Sequence, residues 1–474
     1  MIIFLIISLF LTSMVGSAQT NNHLENLIGN WEGKLTISGM TLRVIFKISM
    51  DAGGKIIVTM DSPDQSIKGI PVEDVQLKNQ QLHLGIKSVG GYFEGIANKD
   101  LSTIAGHLHQ DGQSFPIALN RVKQEDRIKR PQEPQKPYPY HEEEVAYMNK
   151  DAGITLAGTL TLPATEGFFP AVILISGSGT QDRDETILNH KPFLVLSDYL
   201  TRLGIAVLRV DDRGIGGSTG GSREDTSEDF AGDVISGIEY LKNRREINPQ
   251  QIGLIGHSEG GIIAPMVAAE NHDIAFVIML GGTGLSGEEV IYLQAAMLAR
   301  VYGASDELVN LERNNQEKLF DILKEETNNS IAEEKMRNVM TEMLGEMSED
   351  DKLTLGLTEN NMESQLQIML SPWYRNFLFY DPRIALKKVI CPVLAIVGEK
   401  DLQVAPKENL QAIEEALRSG NNEDYKVIEM PNLNHLLQAA ETGSPAEYGK
   451  IEETISPKVL ELVGQWILEK TGKK

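Results

Sequence analysis

The run Leu254-Ile255-Gly256-His257-Ser258-Glu259-Gly260-Gly261 sets a serine between two glycines, directly after the apolar stretch Ile252 to Ile255. Small apolar residues at helical spacing follow, from Gly261 to Ala269. Strand, sharp turn and helix in that order expose a serine hydroxyl, and glycines beside it keep neighbouring side chains away. A helix N-terminus behind the turn favours developing negative charge. This pattern suits nucleophilic attack by Ser258. A hydroxyl is a poor nucleophile at neutral pH, so it needs a base, and the base needs an orienting acid.

The chain has nine histidines. His23, His83, His107 and His109 fall in a strand-rich first part, and His141 in a linker. His257 lies in the turn itself, where its side chain is expected to point away from the serine. His272 follows the next helix, at the wrong end of a sheet. His435 stands in Pro431-Asn432-Leu433-Asn434-His435, just after the final predicted strand and so at the carboxyl edge beside Ser258. His435 is the expected base, with His190 in reserve. The acid should also follow a strand, between serine and histidine in sequence. Strand 392–397 runs into Gly398-Glu399-Lys400-Asp401, which makes Asp401 the expected acid and Glu399 the runner-up.

Acyl transfer also requires two N–H donors for an oxyanion. The Glu259 N–H supplies one. The other is expected from Ser176-Gly177-Ser178-Gly179-Thr180, with Ser178 preferred and Gly177 the alternative. Asp212 and Arg213, in the loop after strand 205–211, are expected to be structural. They should pair with charges in Gln181-Asp182-Arg183-Asp184-Glu185 and hold the oxyanion loop in shape.

The elements that must position these groups follow from the patterning. Residues 1–18 read as a signal peptide: an apolar run at 2–15, then Gly16-Ser17-Ala18, with cleavage before Gln19. No Lys or Arg precedes the run, and an uncleaved anchor is the alternative. Residues 19–122 carry about eight short strands, near 31–37, 42–50, 56–62, 69–78, 81–88, 92–99, 103–110 and 113–121. An all-β barrel or sandwich is expected there, with a short likeness to lipocalin-type barrels at Gly29-Asn30-Trp31. Residues 123–141 form a Pro-rich linker, expected to be extended and stiff. In 142–474 strands alternate with helices, which predicts an α/β fold with a mostly parallel sheet covered on both faces. A helical, methionine-rich insertion at about 284–385 is expected to cap the sheet edge. Met336, Met340, Met343 and Met347 recur at helical spacing and should pack a small helical core, some of them adding to an acyl pocket.

Composition excludes some functions. A net charge of -23 argues against nucleic-acid or anionic-membrane partners. After signal cleavage no segment is long and apolar enough to span a bilayer. The single cysteine, Cys391, cannot form an internal disulfide and reads as a small buried residue. His107 and His109 share a strand face, where a solvated surface is the ordinary reading and a metal pair the rarer one. No Gly-Lys-Ser/Thr follows the glycine-rich loop, so a phosphate loop is not expected. Neither a metal nor an organic cofactor is called for.

Residues 143–474 resemble the α/β-hydrolase superfamily. Four segments are similar to bacterial serine carboxylesterases of the EstD type. They are Gly177-Ser178-Gly179-Thr180-Gln181-Asp182-Arg183-Asp184, Asp212-Arg213-Gly214-x-Gly216, Gly256-His257-Ser258-Glu259-Gly260 and Asn434-His435. Related enzymes more often carry proline where this chain has Thr180, a position outside the catalytic core. The resemblance implies hydrolysis of short-chain acyl esters of small molecules without a cofactor. Peptidase and thioesterase chemistry share the fold and stay open. So does a binding role for the β domain toward a lipid or glycan. Oligomeric state is not legible.

Overall fold

The computed structural model describes residues 24–472, apart from 38–39, 52–54, 63–66, 79, 88–89, 111–112, 123–127, 165, 223, 356 and 358. The expected signal peptide, 1–18, lies outside the described residues. Two compact units result, one of described residues up to Ile128 and one from Lys129 onward.

The first unit is one antiparallel sheet. Its strands are β1 (Gly29–Ile37), β2 (Met40–Met50), β3 (Ile56–Ser62), β4 (Ile67–Pro71) and β5 (Asp74–Lys78). They continue with β6 (Gln81–Ile86), β7 (Gly91–Ala97), β8 (Thr103–Gln110) and β9 (Gln113–Arg121). The order β4-β3-β2-β1-β9-β8-β7-β6-β5 makes β4 and β5, neighbours in sequence, the two outer strands. The strand expected over 69–78 is therefore two strands. Pro71 offers no N–H to continue a ladder. The next two N–H groups then serve opposite ends of the sheet, Val72 bonding Val58 and Glu73 bonding Gly85. The curled sheet wraps Trp31, Phe46, Leu82, Leu84, Phe93 and Ile104, all fully buried. The Trp31 indole N–H donates to the Leu27 carbonyl at 2.7 Å. His107 and His109 are on the outer face, where His109 stacks on Tyr92 at 4.5 Å between ring centroids.

The second unit carries an eight-stranded sheet: β10 (His141–Asn149), β11 (Ile154–Leu162), β12 (Phe169–Ile175), β13 (Ala206–Val210), β14 (Ile247–His257), β15 (Phe276–Leu280), β16 (Val393–Gly398) and β17 (Tyr425–Met430). Its order is β10-β11-β13-β12-β14-β15-β16-β17. The pairs made by β10 and β11 are antiparallel and the remainder parallel. The chain leaves β12 for β13 on one side and returns to β14 on the other. Their carboxyl ends thus meet at a topological switch point, where open α/β sheets bind ligands. Central strands read as unbroken apolar runs because both faces are covered. On β12, Ile173 packs in one core layer while Val172 and Leu174 pack in the other. Helices α1 (Pro192–Arg202), α2 (Ser227–Lys242) and α3 (Gly260–Glu270) connect the first parallel strands.

Between β15 and β16 a helical cap is built from α4 (Gly287–Val301), α5 (Asp306–Glu325), α6 (Asn329–Glu346), α7 (Glu349–Thr354), α8 (Glu359–Met369) and α9 (Pro372–Phe379), after which α10 (Pro382–Leu386) returns to the sheet's own core through Ala385 and Leu386. Met336 and Met340 pack with Leu319, Phe320 and Leu366, while Met343 and Met347 pack with Leu308 and Leu355. The methionine face is thus the cap's own core. The unit closes with α11 (Pro406–Ser419), α12 (Pro445–Tyr448) and α13 (Pro457–Thr471).

The Pro-rich stretch is not a free spacer along its whole length. Arg130 donates to four carbonyls, those of Leu188, Asn189, Gly449 and Ile451. The Gln132 side chain accepts from the Thr454 and Ile455 N–H groups and donates to the Ile455 carbonyl. Residues 130–132 are therefore anchored to the second unit.

Trp31 is the largest fully buried side chain of the first unit. Trp31→Ala should lower that unit's stability by about 3–5 kcal/mol, read as a shift in its denaturant midpoint.

Candidate active site

Ser258 follows β14 at φ +52°, the left-handed region that β-carbon-bearing residues avoid. The turn is this sharp because its flanking glycines allow it. A Cβ at Gly256 would lie 1.9 Å from the Gly260 carbonyl oxygen, and one at Gly260 would lie 2.1 Å from that of Ile175. The Ser258 N–H donates to the Leu280 carbonyl at 2.9 Å, tying the turn to the end of β15.

His435 arrives on the loop after β17. Its Nδ1 is 2.8 Å from Asp401 Oδ2, and both side chains are almost fully buried. The second Asp401 oxygen accepts the Gln403 and Val404 N–H groups, each at 2.8 Å. A carboxylate so held accepts the Nδ1 proton and leaves Nε2 of His435 as a free base. Gly281, next to the Leu280 that binds Ser258, makes room for this ring. A Cβ there would sit 3.2 Å from His435. Serine, histidine and aspartate therefore occupy one sheet edge.

The other candidates have separate tasks. Glu399 accepts the Asn432 N–H at 2.8 Å and braces the histidine loop. His190 is fully buried, with Nδ1 3.0 Å from Thr454 Oγ1 and Nε2 2.9 Å from the Tyr448 carbonyl. It is a structural histidine that joins two loops.

The loop after β12 lies against the nucleophile. A Cβ at Gly177 would be 3.1 Å from Ser258 Cβ. The Gly177 N–H already donates to Glu185 Oε1 at 2.7 Å. Among the described residues, neither the Ser178 nor the Glu259 N–H has such a partner. The two open donors are thus Ser178 and Glu259, and Gly177 is occupied.

Two side-chain roles that the sequence did not reveal complete the frame. Glu185 Oε1 also receives His257 Nδ1 at 2.8 Å, and His257 Nε2 is 3.1 Å from the His435 carbonyl. Both ring nitrogens of His257 face acceptors, so the ring satisfies both only as an imidazolium. Burial disfavours that charge, but Glu185 and the His435 carbonyl outweigh it and raise the pKa. One carboxylate oxygen thereby links the oxyanion loop to the backbone of His435. Glu259 is the second: its side chain is buried and takes Ser227 Oγ at 2.6 Å and Trp373 Nε1 at 2.9 Å. Burial raises its pKa, against hydrogen bonds from Ser227, Trp373 and the Ser178 side chain.

The expected brace from Asp212 and Arg213 is half corrected. Asp212 accepts Ser176 Oγ and the Gln181 N–H, both at 2.8 Å, and so shapes the loop through hydrogen bonds. Burial pushes its carboxyl up to about 8, which spares the loop a further buried negative charge near neutral pH. Arg213 instead pairs with Asp225 and Asp233, beside and on α2. The loop's own ion pairs are Arg183–Asp211, bidentate at 3.0 and 2.7 Å, and Arg209–Asp184. Arg213 misses the loop because three acids on or near α2 surround its guanidinium. Cys391 is buried and its thiol is pushed up to about 12, leaving it inert.

The sheet order, with helices between its parallel strands and the serine turn after β14, is an α/β-hydrolase fold. A family model described as serine aminopeptidase, S33, matches residues 192–338. Esterase EstD of Thermotoga maritima is 26% identical over 326 residues, 68% of each chain. Putative hydrolase YtaP of Bacillus subtilis is 31% identical over 121 residues, 22% of this chain and 40% of that one. The solved esterase Pf2001 of Pyrococcus furiosus aligns with a TM-score of 0.42 and 16% identity, covering 70% of this chain and 91% of its own.

Burial lowers the His190 pKa from 6.5 to about 4. In the unfolded chain this histidine takes its proton near pH 6.5, so between those values protons favour unfolding. Stability should fall as pH drops through this window, by at most about 3 kcal/mol from this group. In His190→Gln the thermal midpoint should decline less steeply between pH 6.5 and 4 than in the native chain.

Proposed function

We propose that the chain is an exported serine carboxylesterase using Ser258, His435 and Asp401 as a triad. The observation that carries this reading is the Asp401–His435 hydrogen bond at 2.8 Å, on the same sheet edge as a serine held at positive φ. Ser258 Oγ attacks the ester carbonyl carbon, and its proton passes to His435 Nε2. Asp401 fixes the Nδ1–H tautomer and stabilises the imidazolium. The oxyanion takes the Ser178 and Glu259 N–H groups, each worth about 3 kcal/mol in the transition state. Collapse breaks the ester C–O bond as His435 returns the proton to the leaving alcohol. Water then attacks the acyl-enzyme through the same base, releasing the acid and restoring Ser258. Every step balances with these side chains and water alone.

Similarity to Esterase EstD supports the ester class. Short acyl groups are favoured by the likeness to EstD-type esterases, while the small cavity beside the oxyanion loop is lined by neither Ser258 nor His435. It has about 50 Å³ and is lined by Gly177, Gly179, Glu259 and apolar walls from Ile173, Phe230 and Ile263. The family model's description favours peptide amides as the second reading. Export rests on the apolar run at 2–15 and the small residues before Gln19.

Ser258→Ala and Asp401→Asn should each lower kcat for p-nitrophenyl butyrate by about 10⁴-fold, with the fold retained. Full activity in Ser258→Ala would refute the mechanism. A panel of esters from acetate to palmitate, together with aminoacyl amides, should show turnover greatest on the short esters. Dominant amide cleavage would favour the peptidase. The secreted protein should begin at Gln19 by N-terminal sequencing.

A further inference from the structure

The Glu259 side chain has no part in the steps above, yet it is among the most constrained groups near them. It is 3% exposed. Its Oε1 accepts from Ser227 Oγ, at the first turn of α2, and from Trp373 Nε1, on α9 of the cap. The Ser178 hydroxyl lies near the same carboxyl and favours its ionised form. Glu259 thus carries on one residue an open N–H beside Ser258 and a buried carboxyl tied to α2 and α9. A buried carboxylate is stable only while its donors stay in place.

Helix α9 gives this carboxylate a mechanical context. Arg375, two residues after Trp373, donates to the Leu323 carbonyl on α5 at 2.6 Å and to Asn329 Oδ1 on α6 at 3.1 Å. At the other end of α9, the Tyr380 carbonyl accepts the Gly287 N–H of α4. Within the helix, Trp373 stacks on Phe377 at 5.7 Å, which fixes the indole. So α9 is a strut that grips three cap helices and touches the catalytic edge through one indole N–H.

We infer that Glu259 is a positioning residue, and that its hydrogen bond from Trp373 couples docking of the cap to alignment of the oxyanion donors. With α9 seated, the carboxylate is held by donors from α2 and α9 beside the Ser178 hydroxyl, and the two N–H groups keep their register. With α9 displaced, it loses the indole donor and turns toward new partners, drawing Ser178 out of place. Cap closure over a substrate then completes the oxyanion hole, and an open cap leaves it slack. This rests on Ser258 being the nucleophile.

Trp373→Phe removes the N–H and keeps the stacked ring. It should lower kcat for p-nitrophenyl butyrate about tenfold while KM stays within about twofold, since the lost alignment matters only in the transition state. Affinity for a boronic acid, which forms a tetrahedral adduct on Ser258, should fall in parallel. Glu259→Ala should lose about a hundredfold, and Glu259→Gln, whose amide oxygen still accepts, should recover most of it. Native kcat and boronate affinity in Trp373→Phe would overturn the coupling, as would a Glu259→Gln as impaired as Glu259→Ala. Labelling of Ser258 by a fluorophosphonate in the native chain separates the two failures. Labelled enzyme with an unaffected Trp373→Phe sinks the coupling alone, and unlabelled native enzyme sinks the catalytic reading with it.

Discussion

Two missing β-carbons fix the geometry on which the catalytic edge depends. At Gly256 and Gly260 any side chain would overlap a backbone carbonyl, so β14 can turn into α3 within three residues only with these glycines. The strain falls on Ser258, at φ +52°. Strain of this kind persists when surrounding structure over-determines it. Here the Ser258 N–H on the Leu280 carbonyl, the fully buried β15 and the apolar α3 all hold the turn. The close approach that forbids side chains also brings Ile175, at the end of β12, against the elbow. The loop that follows Ile175 therefore has to pass the nucleophile.

That loop is held by charge in a place where charge is costly. Arg183 and Asp211 form a bidentate pair, Arg209 meets Asp184, and Glu185 meets an imidazolium at His257. Buried pairs of this kind contribute little net stability, because desolvation offsets their attraction. Their effect is geometric. Glu185 occupies the Gly177 N–H and leaves that of Ser178 open, so it selects which amide of this loop stays free beside Ser258.

The alternation of strands and helices, the elbow and the His435–Asp401 pair were legible because each is announced locally. A motif marks Ser258, and His435 and Asp401 each follow a strand whose carboxyl edge could be counted. What was not legible is held by partners remote in sequence. Glu185 and His257 are 72 residues apart, and Glu259 and Trp373 are 114 apart. Nothing in the local pattern of either announces the other. Arg213 shows the limit from the opposite side: its neighbour Asp212 does brace the loop, while the guanidinium turns to the acids of α2. The break at Val72 was hidden because Ile67–Pro71 and Asp74–Lys78 both read as strand and are separated by only two residues.

The stretch with four prolines before β10 looks like a hinge and in part is a fastener. Arg130 reaches carbonyls at 188–189 and at 449–451, and Gln132 adds 454–455. Three segments from opposite ends of the catalytic unit are joined there, and the middle one runs directly into His190. The boundary of the catalytic unit as a physical object therefore lies upstream of its first strand. A chain cut just before β10 would keep Ser258, Asp401 and His435 and lose the clasp that closes the 188–190 and 449–455 loops together. The minimal unit that inherits this enzyme's rigidity begins no later than Arg130.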